Sequence, residues 1–204
     1  MKIICIGRNY VDHAHELGNA VPEEPVFFLK PDTALLLKNT PFFLPDFSNE
    51  VHHEIELVIK ICRLGKNIEP RFASKYYQEF TLGIDFTARD IQNQLKAKGL
   101  PWEKAKAFDG SAFVGQRWLK VEDHNDLRQI NFSLKKNKQL IQSGNTKDML
   151  FGVDEIIANV SKYMTLKIGD LIFTGTPAGV GSVMIGDVLE GQLGNEKVFE
   201  LKIK

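Results

Sequence analysis

Two glutamates stand where the pattern calls for apolar side chains. In "VHHEIELVIK" (51–60), Val51, Ile55, Leu57, Val58 and Ile59 read as core, yet Glu54 and Glu56 interrupt them. Side chains alternate across a strand, so the two glutamates share a face, about 6–7 Å apart along the chain. Val51, His53, Ile55, Leu57 and Ile59 take the other face. Paired carboxylates repel, and burying either one costs several kcal/mol unless a partner compensates. One reading is an edge strand whose polar face meets water, with Lys60 offering relief. The other is a cation site, which needs a third acid. Asp85 in "GIDFTARD" (83–90) lies between Ile84 and Phe86 and is as misplaced as the glutamates. It comes early to cap a helix starting at "ARDIQNQL", where Thr87 is the better capper. Three acids on apolar strands favour the cation. All-oxygen ligands suit Mg²⁺, Mn²⁺ or Ca²⁺ rather than zinc or copper. His53 faces away from the pair, and His52 reads as packing or outer support.

The surrounding elements follow from pattern. The 204 residues suffice for one sizeable core. With no repeat or linker, residues 1–204 read as a single domain. Hydrophobic residues at 43% and charged residues at 25% are ordinary for a soluble globular protein. Lys plus Arg equals Asp plus Glu at 26 each, so no overall field favours nucleic acid or an anionic membrane. "LKKNKQ" (134–139) reads as a hairpin tip turning at Asn137. Cys5 and Cys62 read as reduced thiols of a cytoplasmic protein, the apolar start is short for a signal peptide, and no stretch is long enough to cross a bilayer. Strands are expected at 2–7, 24–31, 41–45, 51–62 and 81–88, with a hairpin at 130–144 and strands at the end. Helices are expected over 8–18 (stopped by Gly18), 70–80, 89–99 and 148–166. Helices inserted irregularly among strands argue for an α+β fold with antiparallel or mixed sheet.

Six stretches in order carry a resemblance over nearly the whole chain: "GRNYVDHAHELG", "PVFFLKP", "HHEIEL", "IDFTARDIQ", "KAFDGSAFVG" and "GDLIFTGTPAGVG". Together they resemble the fumarylacetoacetate hydrolase superfamily, and "KGLPWEKAK" resembles its acylpyruvase/oxaloacetate decarboxylase branch. The resemblance implies a mixed β-roll with a pseudo-barrel, usually a homodimer. It implies Mg²⁺ or Mn²⁺, with Ca²⁺ as a substitute, on Glu54, Glu56 and Asp85. It places a lysine beside the metal at Lys106, substrate-binding groups at Arg89, Gln92 and Thr176, and a His–Glu pair at His13 and Glu16 on a lid of about 10–22. Many members carry a serine where this chain has Ala107, so that hydroxyl is missing.

The residue types make chemical sense of that assignment. A divalent ion on three carboxylates keeps open positions that a 2-oxo acid can fill, and acts as a Lewis acid on the enolate formed when a bond to C3 breaks. Lys106 would add positive charge there, and Thr176 would meet a substrate carboxylate. Residues 13 and 16 share a helix face, so Glu16 can orient His13 as a general base for water. Without the resemblance, a solvated helix face, a surface lysine and a plain turn describe these residues equally well. The expected activity is hydrolysis of acylpyruvates, decarboxylation of oxaloacetate, or both. Isomerisation or tautomerisation of 2-oxo or 2-hydroxymuconate-type acids is the alternative, and a non-catalytic cation-binding β module the remote one. The lid, with a polar face and little apolar burial, is expected to be mobile without ligand.

Overall fold

The run that carries Glu56 folds into the middle of a sheet, covered on both faces. In the computed structural model, residues 1–16, 18, 20–124 and 127–204 are described. The strands are β1 (Ile3–Gly7), β2 (Val26–Lys30), β3 (Val51–His53), β4 (Ile55–Ile61), β5 (Tyr77–Asp85), β6 (Thr87–Ala88), β7 (Ala112–Val114), β8 (Leu119–Lys120), β9 (Asn131–Lys136), β10 (Gln139–Asn145), β11 (Leu171–Phe173), β12 (Gly181–Ser182), β13 (Val188–Leu193) and β14 (Glu196–Lys202). The α-helices are α1 (Val11–Glu16), α2 (Pro70–Ala73), α3 (Arg89–Ala97), α4 (Glu103–Lys106) and α5 (Val153–Tyr163).

The largest sheet runs β2-β1-β11-β4-β5-β7, with β8 also on β5. Its β1–β11 pairing is parallel and the others are antiparallel. A second sheet runs β10-β9-β13-β14, and a short third one β12-β3-β6. This is the mixed α+β roll that the pattern and the resemblance imply. One apolar core collects Ile4, Leu57, Phe80, Leu134, Ile157 and Ile203 from along the whole chain. Among the described residues no helix is long and apolar enough to cross a membrane. Cys5 is a buried free thiol and Cys62 a half-buried one.

Several local expectations give way to tertiary pairing. The edge-strand reading of 51–60 fails because β4 lies between β11 and β5, with Ile55, Leu57, Val58 and Ile59 all at 0% exposure. Lys60 does not relieve the glutamates; it pairs with Glu79, directly across on β5. Helix 70–80 stops at Ala73 and a short 3₁₀ turn, because Tyr77 and Phe80 are needed as sheet residues against β4. The stretch 41–45 makes only an isolated bridge, Phe42 to Ile203. Prolines 41 and 45 cannot donate to a ladder, and Phe42 instead stacks on Phe86 at 3.8 Å between centroids. Helix 148–166 shortens to Val153–Tyr163, its start fixed by the Gly152 N–H donating to Glu155 Oε2 at 2.8 Å. Thr87 does not cap α3; it is paired in β6, and its hydroxyl donates towards Asp85 O at 3.4 Å.

Asp170 closes the turn that leads into β11. Its carboxylate accepts from the Lys2 N–H and Lys167 N–H, each at 2.8 Å, and from the Lys2 ammonium. Burial pushes this carboxyl up, but those donors outweigh it and hold it below the usual range. A depressed folded-state value means stabilisation present at neutral pH and lost as pH falls through that value. Asp170→Ala is therefore expected to lower the melting temperature at pH 7 by several degrees, through orphaned donors. The gap from wild type should narrow below about pH 4, near the unfolded carboxyl value; thermal melts across pH check this.

Candidate active site

The antiparallel register of β4 and β5 sets Ile55 opposite Ile84, which brings Glu54 beside Asp85. Glu54 falls in the break between β3 and β4, and its carbonyl accepts the Asp85 N–H at 2.9 Å. Alternation therefore holds only loosely at Glu54, yet the oxygens converge. Ligand atoms of Glu54, Glu56 and Asp85 all lie within 4.8 Å of one another, and the three residues are buried.

Three cations hold these acids. Lys106, at the end of α4, donates to Glu54 Oε2 and to Asp85 Oδ2, both at 2.8 Å. Arg89, in the first turn of α3, pairs with Glu54 Oε1 and donates to Gln92 Oε1. Lys30, at the end of β2, lies 2.7 Å from Asp85 Oδ1. It also donates to Ser111 Oγ at 2.9 Å, Ser111 O at 3.0 Å and Phe86 O at 3.3 Å. Apart from that ion pair, the buried Asp85 Oδ1 has no hydrogen-bond partner among the described residues. Glu56 Oε2 accepts the Gly175 N–H at 2.6 Å. Gly175 has φ +104°, and a Cβ there would lie 2.7 Å from Asn9 Cβ, so only glycine fits this approach.

The fields follow from this wiring. Burial pushes Glu54 up, but Lys106 and Arg89 overcome it and hold the carboxyl far below the usual range. Burial, then Asp85 and Glu54, push Glu56 well above it. Burial works against the Lys106 charge, but Asp85 and Glu54 raise it to about 12, so it remains an ammonium. An all-carboxylate, buried donor set, in which Asp85 Oδ1 carries an ion pair but no further bond among the described residues, fits a hard divalent cation. Glu54, Glu56 and Asp85 would hold it.

The other expected residues surround the same cleft. Its lining includes His13, Arg89, Gln92, Lys106 and Thr176 as well as the three acids. His13 Nδ1 lies 3.1 Å from Glu16 Oε2, and Glu16 in turn accepts the Gly179 N–H at 3.1 Å. Burial lowers the His13 value, against Glu54 and Glu16. The segment buries more than its sequence promises: Tyr10, His13 and Ala14 are at 3%, 6% and 0% exposure. Residues 17 and 19 of the expected lid, 10–22, lie outside the described residues.

Sequence reading missed Lys30, Gln142 and Arg8, which look locally like a strand end, a hairpin residue and a loop. Gln142 is fully buried on β10. Its Oε1 accepts from His53 Nδ1 at 2.9 Å and from the Ile55 N–H at 3.2 Å. Its Nε2 donates to Thr176 Oγ1 at 2.9 Å and Pro177 O at 3.0 Å. One amide thus ties the acidic strand to the Thr176 loop. His53, pushed down to about 4 chiefly by burial, is neutral and serves this bridge. His52 supports Arg89, accepting from its Nε at 3.3 Å. Close to Ala107, Ser111 Oγ donates to Lys106 O at 2.8 Å.

Comparison with known proteins agrees with this geometry. The family model for the fumarylacetoacetate (FAA) hydrolase C-terminal region matches residues 2–201. The chain belongs to this family of enzymes. It is 43% identical over 194 residues to "Oxaloacetate decarboxylase, mitochondrial" of Dictyostelium discoideum, covering 93% of this chain and 87% of that one. It is 42% identical over 203 residues to "Oxaloacetate tautomerase FAHD1, mitochondrial" of Bos taurus, covering 100% of this chain and 90% of that one. Among solved structures, fumarylpyruvate hydrolase from Pseudomonas aeruginosa, in complex with Mn²⁺ and pyruvate, superposes with a TM-score of 0.91 at 32% identity, over 100% of this chain and 89% of that one.

Titration with Mn²⁺ by calorimetry is expected to give one ion per chain. Glu56→Gln should weaken it at least about ten-fold, through loss of a ligand. Gln142→Ala, which removes the support behind Glu54, should weaken it by about 10-fold, within the 10–100-fold usual for outer-sphere partners.

Proposed function

We propose that this chain uses a divalent ion, Mg²⁺ or Mn²⁺ with Ca²⁺ as a substitute, to act on small 2-oxo acids through their enolates. Keto–enol tautomerisation and decarboxylation of oxaloacetate are the leading activities. The observation that carries this is the Lys106 ammonium, fixed between Glu54 and Asp85 at 2.8 Å from each, inside a cleft that His13 also lines. When bound, the ion would supply Lewis-acid stabilisation of the negative charge that develops on the keto oxygen.

The chain's own residues do the rest. Lys106 stays protonated, so it stabilises that charge and does not act as a base. Arg89, Gln92 and Thr176 offer donors that would orient the 2-oxo carboxylate. His13 is the proton carrier. Burial favours its neutral form, and Glu16 accepts from Nδ1–H, which leaves the Nε2 lone pair to take the C3 proton and pass it to the C2 oxygen as the enol forms, and to carry it back in the reverse direction. With α1 seated over the cleft, bulk water is kept from the enolate.

The names of the two sequence relatives support the oxaloacetate reading. Hydrolysis of acylpyruvates is the second reading, favoured by the same His13–Glu16 pair, since a neutral imidazole can equally activate water. Exposed Leu37, Phe43 and Phe47 offer apolar surface for the homodimer that goes with either.

The test supplies Mn²⁺ and follows enol loss and pyruvate release from oxaloacetate, and C–C cleavage of acetylpyruvate. Wild type is expected to tautomerise oxaloacetate fastest. His13→Ala should slow that step by roughly 10²–10⁴-fold. Decarboxylation, which breaks C3–C4 without removing a C3 proton, should fall less. If His13→Ala spares tautomerisation and abolishes only acetylpyruvate cleavage, the hydrolytic reading replaces the leading one.

A further inference from the structure

Arg8 has no part in the chemistry above, yet it lines the same cleft. Its backbone is left-handed, with φ 60°, a conformation a long side chain adopts only where its surroundings impose it. Those surroundings belong to the next residue. Asn9 is fully buried, donates to Phe151 O at 3.0 Å and Thr174 O at 2.8 Å, and accepts the Phe151 N–H at 2.8 Å. The turn is therefore held without help from the Arg8 side chain. Among the described residues, that side chain has a buried Nε with no hydrogen-bond partner, and none of the ion pairs around the cleft includes it.

The charge balance gives this guanidinium something to do. Glu54, Glu56 and Asp85 are matched by Lys30, Lys106 and Arg89. A divalent ion adds two positive charges, of which a monoanionic 2-oxo acid cancels one. Arg8, on the same lining, adds one more. A surplus of positive charge in a cleft largely shut from water is costly, so a ligand with a second anionic end is favoured.

We propose that Arg8 is the specificity-determining residue of this cleft, its guanidinium taking the second carboxylate of a short 2-oxo dicarboxylate whose 2-oxo end lies at the acidic triad. This rests on the proposed binding of 2-oxo acids at that triad. It deepens the reading by assigning the distal end of the substrate, which Arg89, Gln92 and Thr176 leave unassigned.

The test measures binding by calorimetry with Mn²⁺ saturating, using two probes. Pyruvate lacks the second carboxylate, and 3,3-difluoro-oxaloacetate carries it but cannot enolise. Arg8→Gln is expected to weaken the difluoro dicarboxylate about 10–100-fold, as for a lost charge-assisted hydrogen bond, and pyruvate by less than about 3-fold. Arg8→Lys should restore part of the loss. Arg8→Asn, which suits the left-handed backbone, should reproduce the Arg8→Gln pattern and separates folding from recognition. Equal losses for both probes, or no loss for either, would overturn the assignment to Arg8 alone. Failure of the wild type to bind either probe would instead overturn the 2-oxo acid reading beneath it.

Discussion

Everything in the cleft depends on keeping three carboxylates together out of water. Unaided, Glu54, Glu56 and Asp85 would repel, and each would cost free energy to bury. Lys106 answers both problems by donating to Glu54 and Asp85 at once, while Arg89 and Lys30 take the outer oxygens. The compensation is incomplete at Glu56, whose carboxyl is pushed up by burial and by its neighbours. It is also incomplete at Asp85 Oδ1, whose ion pair with Lys30 is joined by no hydrogen bond among the described residues. The fold has stopped short of satisfying the acids with its own groups, and that shortfall is what a cation would complete.

Holding such a cluster requires rigid supports from several parts of the chain. Gln142 reaches from the four-stranded sheet to the strand carrying Glu54 and to the loop carrying Thr176, with all of its amide groups engaged. Gly175 lets its own N–H approach Glu56 because it has no side chain to strike Asn9. Asn9 also fixes the turn behind Arg8 and reaches Thr174 and Phe151. The strand-to-loop junctions at both ends of the cleft are therefore coupled through one buried asparagine.

Tyr10 and helix α1 are tied to the same framework by fewer bonds. Glu16 joins His13 to the Gly179 N–H, and Tyr10 bridges to Met149. The burial of Tyr10, His13 and Ala14 holds this segment in place, so displacing it would cost more than its polar sequence implies. On the proposed function, such a cover would keep bulk water from competing for the proton of the enolate.

Local pattern was enough to single out the acids, because a carboxylate inside an apolar strand violates the binary pattern whatever the fold. The order of six motifs carried the family, and with it the places of His13, Arg89, Gln92, Lys106 and Thr176. Hairpin turns at Asn137 and Gly194 were legible from turn residues, since positive φ selects them: 51° and 55°. What the tertiary structure alone decided was pairing. No local signal sets Ile55 opposite Ile84, and that register is what carries Asp85 to Glu54. The same holds for the strand at 77–80, whose helix-like spacing yields to the sheet that buries Tyr77 and Phe80. Lys30, Gln142 and Arg8 stayed hidden for a related reason. Each is ordinary among its sequence neighbours, and its role comes only from partners 34 or more positions away, or from a cleft that exists once the sheets have closed.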